Sequence, residues 1–305
     1  MAGESKKTVL VAVSANAAIA VVKGIAGALS GSSSLLAEAA HSVADATNQL
    51  MLLVSISLGE REPDDEHPFG YGKERFFWTL LAAVLIFIAG AVFSIGQGVL
   101  ELLHGGSERD YQLAIGTIGF AALAEGTSFT RALRQTRGEA SRAGVSFTAY
   151  VRQSKDPTVK AVISEDATDL VGLLFAAVGL TLAHITGNSA FDAAGAILVG
   201  ALLVVVAWLL GRDTKGLLIG EAAPRRERDR LRQTIEQRAE VVSVRDLRTM
   251  YVGPESLLVA ARIDLADDLS ARRVEALADA IERDLKRAVP TVGEVFLDPT
   301  GAKRG

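Results

Sequence analysis

The 305-residue chain contains no cysteine. Disulfides, thiol chemistry and cysteine-ligated zinc are excluded, while the redox compartment stays unread. Histidine is scarce too: the four are His41, His67, His104 and His184, so the last third of the chain has no imidazole with which to hold a metal. No H-E-x-x-H pair occurs, which removes the usual helical signature of a zinc hydrolase. An even spread of polarity is also missing. Hydrophobic residues make up 49% of the chain and mean hydropathy is +0.28, but the apolar residues crowd into 8–210, whereas 222–305 is rich in Arg, Asp and Glu. Such a composition points to a membrane protein with a soluble tail, divided near Gly220 into domains at 1–215 and 216–305. The net charge of −4 says little about partners, because its distribution matters more than its sum.

Six windows are long enough to cross a hydrocarbon core, at roughly 8–30, 33–58, 76–103, 112–131, 158–185 and 189–211. The first of these runs for about two dozen residues, the length of a bilayer span rather than of a short signal-peptide core. Basic residues are nearly absent from one side of the membrane. Fourteen Lys and Arg residues flank the spans on the side of the termini, seven of them between spans four and five, and only Arg109 lies opposite. Both termini are therefore expected in the cytoplasm, with the protein integral to a membrane that we expect to be a bacterial inner membrane. The seven-charge loop follows from that topology and from attraction to anionic headgroups, and nothing supports nucleic-acid binding. Short Gly/Ser connections (S-G-S-S-S and I-T-G-N-S) make spans one and two, and spans five and six, antiparallel neighbours. The tail reads as helix, strand, strand, helix, strand. The expected fold is an α-helical bundle of six spans followed by a small cytoplasmic α+β domain of αββαβ order, ferredoxin-like.

Ionisable groups inside spans are costly unless paired, hydrated or metal-bound. Span two carries Glu38, His41, Asp45 and Asn48 in S-L-L-A-E-A-A-H-S-V-A-D-A-T-N-Q-L, at spacings of three, four and three that share one helix face. Span five carries Glu165, Asp166 and Asp169 in V-I-S-E-D-A-T-D. Setting His41 and Asp45 against Glu165 and Asp169 gathers one imidazole and three carboxylates, enough for a four-coordinate divalent cation. No cation in the spans is free to compensate those carboxylates, because Lys23 can be neutralised by Glu38 and Glu125. An empty site should hold protons, and metal should displace them. Glu38, Asn48 and Asp166 are candidate outer partners of these ligands, although ion pairing with Lys23 is the weightier reading of Glu38 and helix packing explains Asn48 equally well.

With these stretches, V-V-K-G-I-A-G-A-L-S-G-S, D-D-E-H-P-F-G-Y-G-K-E-R and L-L-I-G-E-A, the chain resembles the cation diffusion facilitator family over most of its length. H-S-V-A-D-A-T-N-Q and T-M-Y-V-G-P-E are most similar to the branch that includes the mitochondrial zinc exporter of animals. The resemblance implies a secondary transporter and not an enzyme: a homodimer, joined through its tail, that exports Zn2+ in exchange for protons by alternating access. It implies transport-site roles for His41, Asp45 and Asp169, with Glu165 standing where many zinc-selective members have a second His. A carboxylate-rich site tolerates Mn2+, Fe2+ or Co2+ better than an imidazole-rich one, so those ions are the alternatives to Zn2+. No cofactor is implied. Asp64 and His67 match accessory loop ligands, with Tyr71 in place of a second His, and an ion-paired loop is an equal reading. An intramembrane metallohydrolase, a metal channel and a non-transporting scaffold are the competing functions; proton-driven flux separates the carrier from the channel.

Overall fold

The computed structural model describes residues 2–105, 110–142, 146–147 and 157–300; within them, the side chains of 2–13, 15, 132, 135, 139 and 157–166 lie outside the description. Long helices account for most of the first two thirds: α1 (Ala2–Ser30), α2 (Ser33–Gly59), α3 (Glu74–Leu85), α4 (Phe93–His104), α5 (Tyr111–Arg142), α6 (Pro157–Thr186) and α7 (Ala190–Ile219). The chain divides into two compact units, one of residues 1–50 with 82–209 and the other of 51–81 with 210–305.

In the first unit the helices carry their large side chains outwards. Leu29, Phe120, Leu123 and Ile185 are 72%, 59%, 72% and 74% exposed, while the buried layer is built of small residues such as Ala114, Ala121, Ala176, Ala193 and Ala196. Bundles that meet lipid invert the usual size pattern in this way, because helix association there depends on close backbone packing. Gly179 and Gly195 illustrate it: a Cβ on Gly179 would stand 2.7 Å from the Phe191 carbonyl oxygen and 3.1 Å from the Gly195 Cα, so only hydrogen fits where α6 crosses α7. Among the described residues, four helical stretches are long and apolar enough to cross a membrane: Glu74–His104, Tyr111–Arg142, Ala167–Thr186 and Ala190–Ile219. In α1 the described apolar stretch is the shorter Asn16–Ser30. The structure thus carries a helical transmembrane domain, with four such helices where the hydropathy reading expects six.

The expected single helix over 76–103 is interrupted. Ile86–Val92 forms a π-helical segment between α3 and α4, with Ile86, Gly90 and Ala91 buried. A π segment widens the turn and shifts the helix face, and apolar periodicity does not announce it when every residue in the stretch is apolar.

The second unit contains the tail: α8 (Arg225–Glu236), β1 (Val241–Gly253), β2 (Ser256–Leu265), α9 (Ala271–Ala288) and β3 (Val292–Pro299). The order αββαβ is as read from the sequence. The sheet runs β1-β2-β3, with β1 antiparallel to β2 and β2 parallel to β3, so it is small and mixed. Leu277, Ile281 and Leu285 recur every four residues on α9 and are buried with Leu231 and Ile235 of α8 and Leu257, Val259 and Ile263 of β2. Ser270 occupies the N-cap position of α9 with extended backbone, but its side chain makes no capping hydrogen bond. Lys286 and Arg287 in the last turn complement the helix dipole.

Ile281 is 1% exposed, and Ile281→Ala should cost about 2–5 kcal/mol through the lost methylene contacts and the cavity left behind. Hydrogen exchange on the full-length protein should show the β2 amides losing protection by that amount, while Arg272→Ala on the exposed side of α9 leaves them unchanged.

Candidate metal site

Alanine, the strongest helix former, recurs through the α2 stretch at positions 37, 39, 40, 44 and 46, so polar residues spaced three and four apart ride on a stable helix and face one way. The structure brings two of them to an acid on α6. His41 Nε2 lies 3.6 Å from Asp45 Oδ2 and 3.3 Å from Asp169 Oδ1. One potential ligand atom from each of the three falls within 4.8 Å of the others; His41 is buried and the two aspartates are half-buried. Ligands about 2.0–2.1 Å from a tetrahedral zinc stand roughly 3.3 Å apart; the His41–Asp169 separation matches that spacing and the His41–Asp45 separation approaches it. Among the described residues this is the one group of three potential ligands close enough to share an ion. Glu165 and Asp166, expected beside it, have side chains outside the described residues. Asn48 is half-buried on the same helix.

Glu38 makes the ion pair open to it. Lys23 Nζ donates to Glu38 Oε2 at 3.1 Å, to Glu125 Oε1 at 2.8 Å and to Ser42 Oγ at 3.0 Å. Lys23 and Glu38 are 2% and 0% exposed. The ammonium therefore joins α1, α2 and α5, with its three donors engaged by Glu38, Glu125 and Ser42.

A second buried acid went unread in the sequence. Asp192, fully buried in the first turn of α7, accepts hydrogen bonds from the hydroxyls of Ser32 (3.1 Å) and Ser34 and from the backbone N–H of Ser33 (2.9 Å). The serines of S-G-S-S-S thus do more than turn the chain: they clasp α7. An acid inside an apolar run, opposite a serine cluster, is the signal that pointed there.

The loop after α2 is self-contained. The Asp64 carboxylate accepts from the backbone N–H groups of Glu66 (3.1 Å) and His67 (2.7 Å) and from the Tyr71 hydroxyl (2.7 Å), and the Tyr71 bond, foremost, holds its pKa below the usual carboxylate value. His67 stacks on Tyr71 with ring centroids 4.2 Å apart, and its Nδ1 is 3.8 Å from Asp64 Oδ1. Asp64 and His67 do meet, but with the carboxylate committed to its own loop. In the tail, Asp264 and Asp298 are engaged by Arg245 (2.5 Å) and Arg262 (2.8 Å), leaving those acids as ion pairs.

The family model of the cation efflux transmembrane domain matches residues 9–219, and that of the cation efflux protein cytoplasmic domain matches 223–298. The chain belongs to the cation efflux family, the cation diffusion facilitators. Its members are transporters, not enzymes. This cation diffusion facilitator is 36% identical to metal tolerance protein C4 of Arabidopsis thaliana over 230 residues, 75% of the chain and 50% of that relative. It is 31% identical to a mitochondrial proton-coupled zinc antiporter of Xenopus laevis over 309 residues, 97% of the chain and 55% of that relative. The chain thus spans about half the length of both. With the manganese efflux system protein MneP of Bacillus subtilis it shares 25% identity over 300 residues, 96% of the chain and 95% of that protein. The likeness to the branch containing the animal mitochondrial zinc antiporters is as the span-two motif implied.

Removing the ammonium of the buried network leaves two acids uncompensated. Lys23→Met should destabilise the protein by about 3–5 kcal/mol, and adding Glu38→Gln should recover part of that loss. Thermal unfolding of the purified protein in nanodiscs measures both.

Proposed function

We propose that the protein is a divalent-cation exporter, a Zn2+/H+ antiporter that works as a homodimer by alternating access, with His41, Asp45, Glu165 and Asp169 as its transport ligands. The observation that carries this reading is the convergence of His41, Asp45 and Asp169 from two helices, with one potential ligand atom of each within 4.8 Å of the others. Proton exchange follows from the donor set. Cation binding requires ionised carboxylates and a neutral imidazole, so loading the site releases protons and reprotonation releases the cation. Separating α2 from α6 on one side of the membrane and then the other would expose the same ligands alternately, as in other carriers with a site between helices.

In this reading six spans, α1 and α2 included, make a membrane domain over 1–215, both termini are cytoplasmic in a bacterial inner membrane, and 216–305 is a ferredoxin-like dimerisation domain. The matched cytoplasmic-domain family supports the dimer, and the 14-to-1 imbalance of basic residues supports the orientation. The zinc-antiporter relatives support Zn2+ as cargo. A second reading, Mn2+ export, is favoured by the acid-rich ligand set and by the manganese efflux relative that matches along almost its whole length. A channel would need the same ligands but no proton countermovement.

Reconstituted into liposomes with an imposed pH gradient, the protein should drive gradient-dependent Zn2+ flux, and Asp45→Ala or Asp169→Ala should reduce that flux to the level of empty vesicles while leaving a folded dimer. Full flux in either variant removes the site, and flux indifferent to the gradient makes the protein a channel. Glu165→His should raise the Zn2+/Mn2+ flux ratio, and an unchanged ratio takes Glu165 out of the ligand set.

A further inference from the structure

The His41 ring has two nitrogens, and only Nε2 faces Asp45 and Asp169. Nδ1, on the other side, lies 4.0 Å from Glu38 Oε1. That oxygen is buried and has no hydrogen-bond partner, although its sister Oε2 is held by Lys23 at 3.1 Å. Lys23 is held in turn by Glu125 and Ser42, so the carboxylate is tethered with its open oxygen toward the imidazole. A residue of α6 completes the arrangement. Gly172 stands three positions after Asp169, and a Cβ there would collide with Glu38 Oε1 and lie 3.2 Å from His41 Nδ1. The missing side chain keeps open the volume that the carboxylate oxygen and the ring nitrogen share. Closing the 4.0 Å separation to hydrogen-bonding range takes a shift of about 1 Å, within the reach of a glutamate side-chain rotation.

We infer that Glu38 is the positioning residue for His41: it accepts the Nδ1 hydrogen, leaving Nε2 bare and aimed at the cation, with Lys23 and Glu125 anchoring Glu38 and Gly172 preserving the space. This deepens the transport-site reading and rests on it. A ligating imidazole gains both orientation and basicity from such an acceptor, and losing one typically weakens metal binding about 10- to 100-fold. The Lys23–Glu38–Glu125 network then serves two ends, neutralising itself and setting the tautomer of the one imidazole among the transport ligands.

The test uses the full-length protein in nanodiscs with ring-15N histidine, the His41 signals being identified by their loss in His41→Gln. Without metal, wild type should show His41 as the Nδ1–H tautomer with Nε2 bare. Gly172→Ala, which leaves every charge in place, should give mixed tautomers and about 10- to 100-fold weaker Zn2+ binding by titration calorimetry. Glu38→Leu should match it, and Glu38→Gln, whose amide oxygen still accepts, should restore the Nδ1–H form. If Glu38→Leu does not fold, Gly172→Ala decides alone. An Nε2–H tautomer in wild type, or a Gly172→Ala protein with unchanged tautomer and affinity, overturns the proposal. A wild type with the expected tautomer, responsive to Gly172→Ala, that binds neither Zn2+ nor Mn2+ overturns the transport-site reading and upholds the control of the ring by Glu38.

Discussion

Lys23 is 2% exposed in a bundle whose outer surface is apolar, and an ammonium survives there only because two carboxylates and a hydroxyl close on it. Much of the membrane unit depends on that contact. It ties α1 to α2 and α5 at one height, and in doing so it sets the rotation of α2 about its own axis. His41 is three residues from Glu38, and Asp45 four further on, so a helix whose glutamate is pinned to Lys23 must turn its histidine and aspartate toward α6. Asp192 and its three serine donors hold the start of the same helix, through the turn between α1 and α2, less than two turns from Glu38. Elsewhere in the unit much of the buried packing is alanine, which supplies close approach but little directional preference.

The two groups of membrane acids are consequently unlike each other. Glu38 and Glu125 sit on a resident cation and have their charge offset inside the fold. Asp45 and Asp169 face a histidine instead and belong to a donor set suited to a visiting cation. In the proposed antiporter such a set would be useful because it is not neutral by itself: its stability would depend on what occupies it, cation or protons, and that dependence would couple one flux to the other.

Outside the membrane unit, several charged groups that invite a metal reading are spent on structure. Tyr71 and two backbone amides hold Asp64, while arginines hold Asp264 and Asp298. The H-P-F-G-Y-G stretch belongs to the same compact unit as the tail and touches it. A Cβ on Gly72 would stand 2.5 Å from the Val252 carbonyl oxygen, and the Phe69 ring meets Phe296 edge-on with centroids 6.2 Å apart. The glycine of that motif is required by backbone contact, whatever its loop binds.

Much of this was determined by the sequence alone. Hydropathy marked the four long apolar helices among the described residues, because transfer out of water depends on composition over a window and not on partners; a 3.6-residue period marked α8 and α9, and alternation marked β1 and β2, for the same local reason. His41, Asp45 and Asp169 were legible as candidates because charge inside an apolar run is expensive wherever the run packs. Only the tertiary structure decided which charges compensate which. The sequence offered Lys23, Glu38 and Glu125 as mutually neutralising, but no local pattern encodes their geometry or the pairing of Asp192 with Ser32 across 160 residues. The same holds for Gly172, an unremarked glycine in V-G-L-L until α2 brings a carboxylate and an imidazole to its empty side, and for the π segment at Ile86–Val92, invisible where every residue is apolar. Composition sets the cost of burying a group, but the position of its neighbours in space sets whether that cost is met.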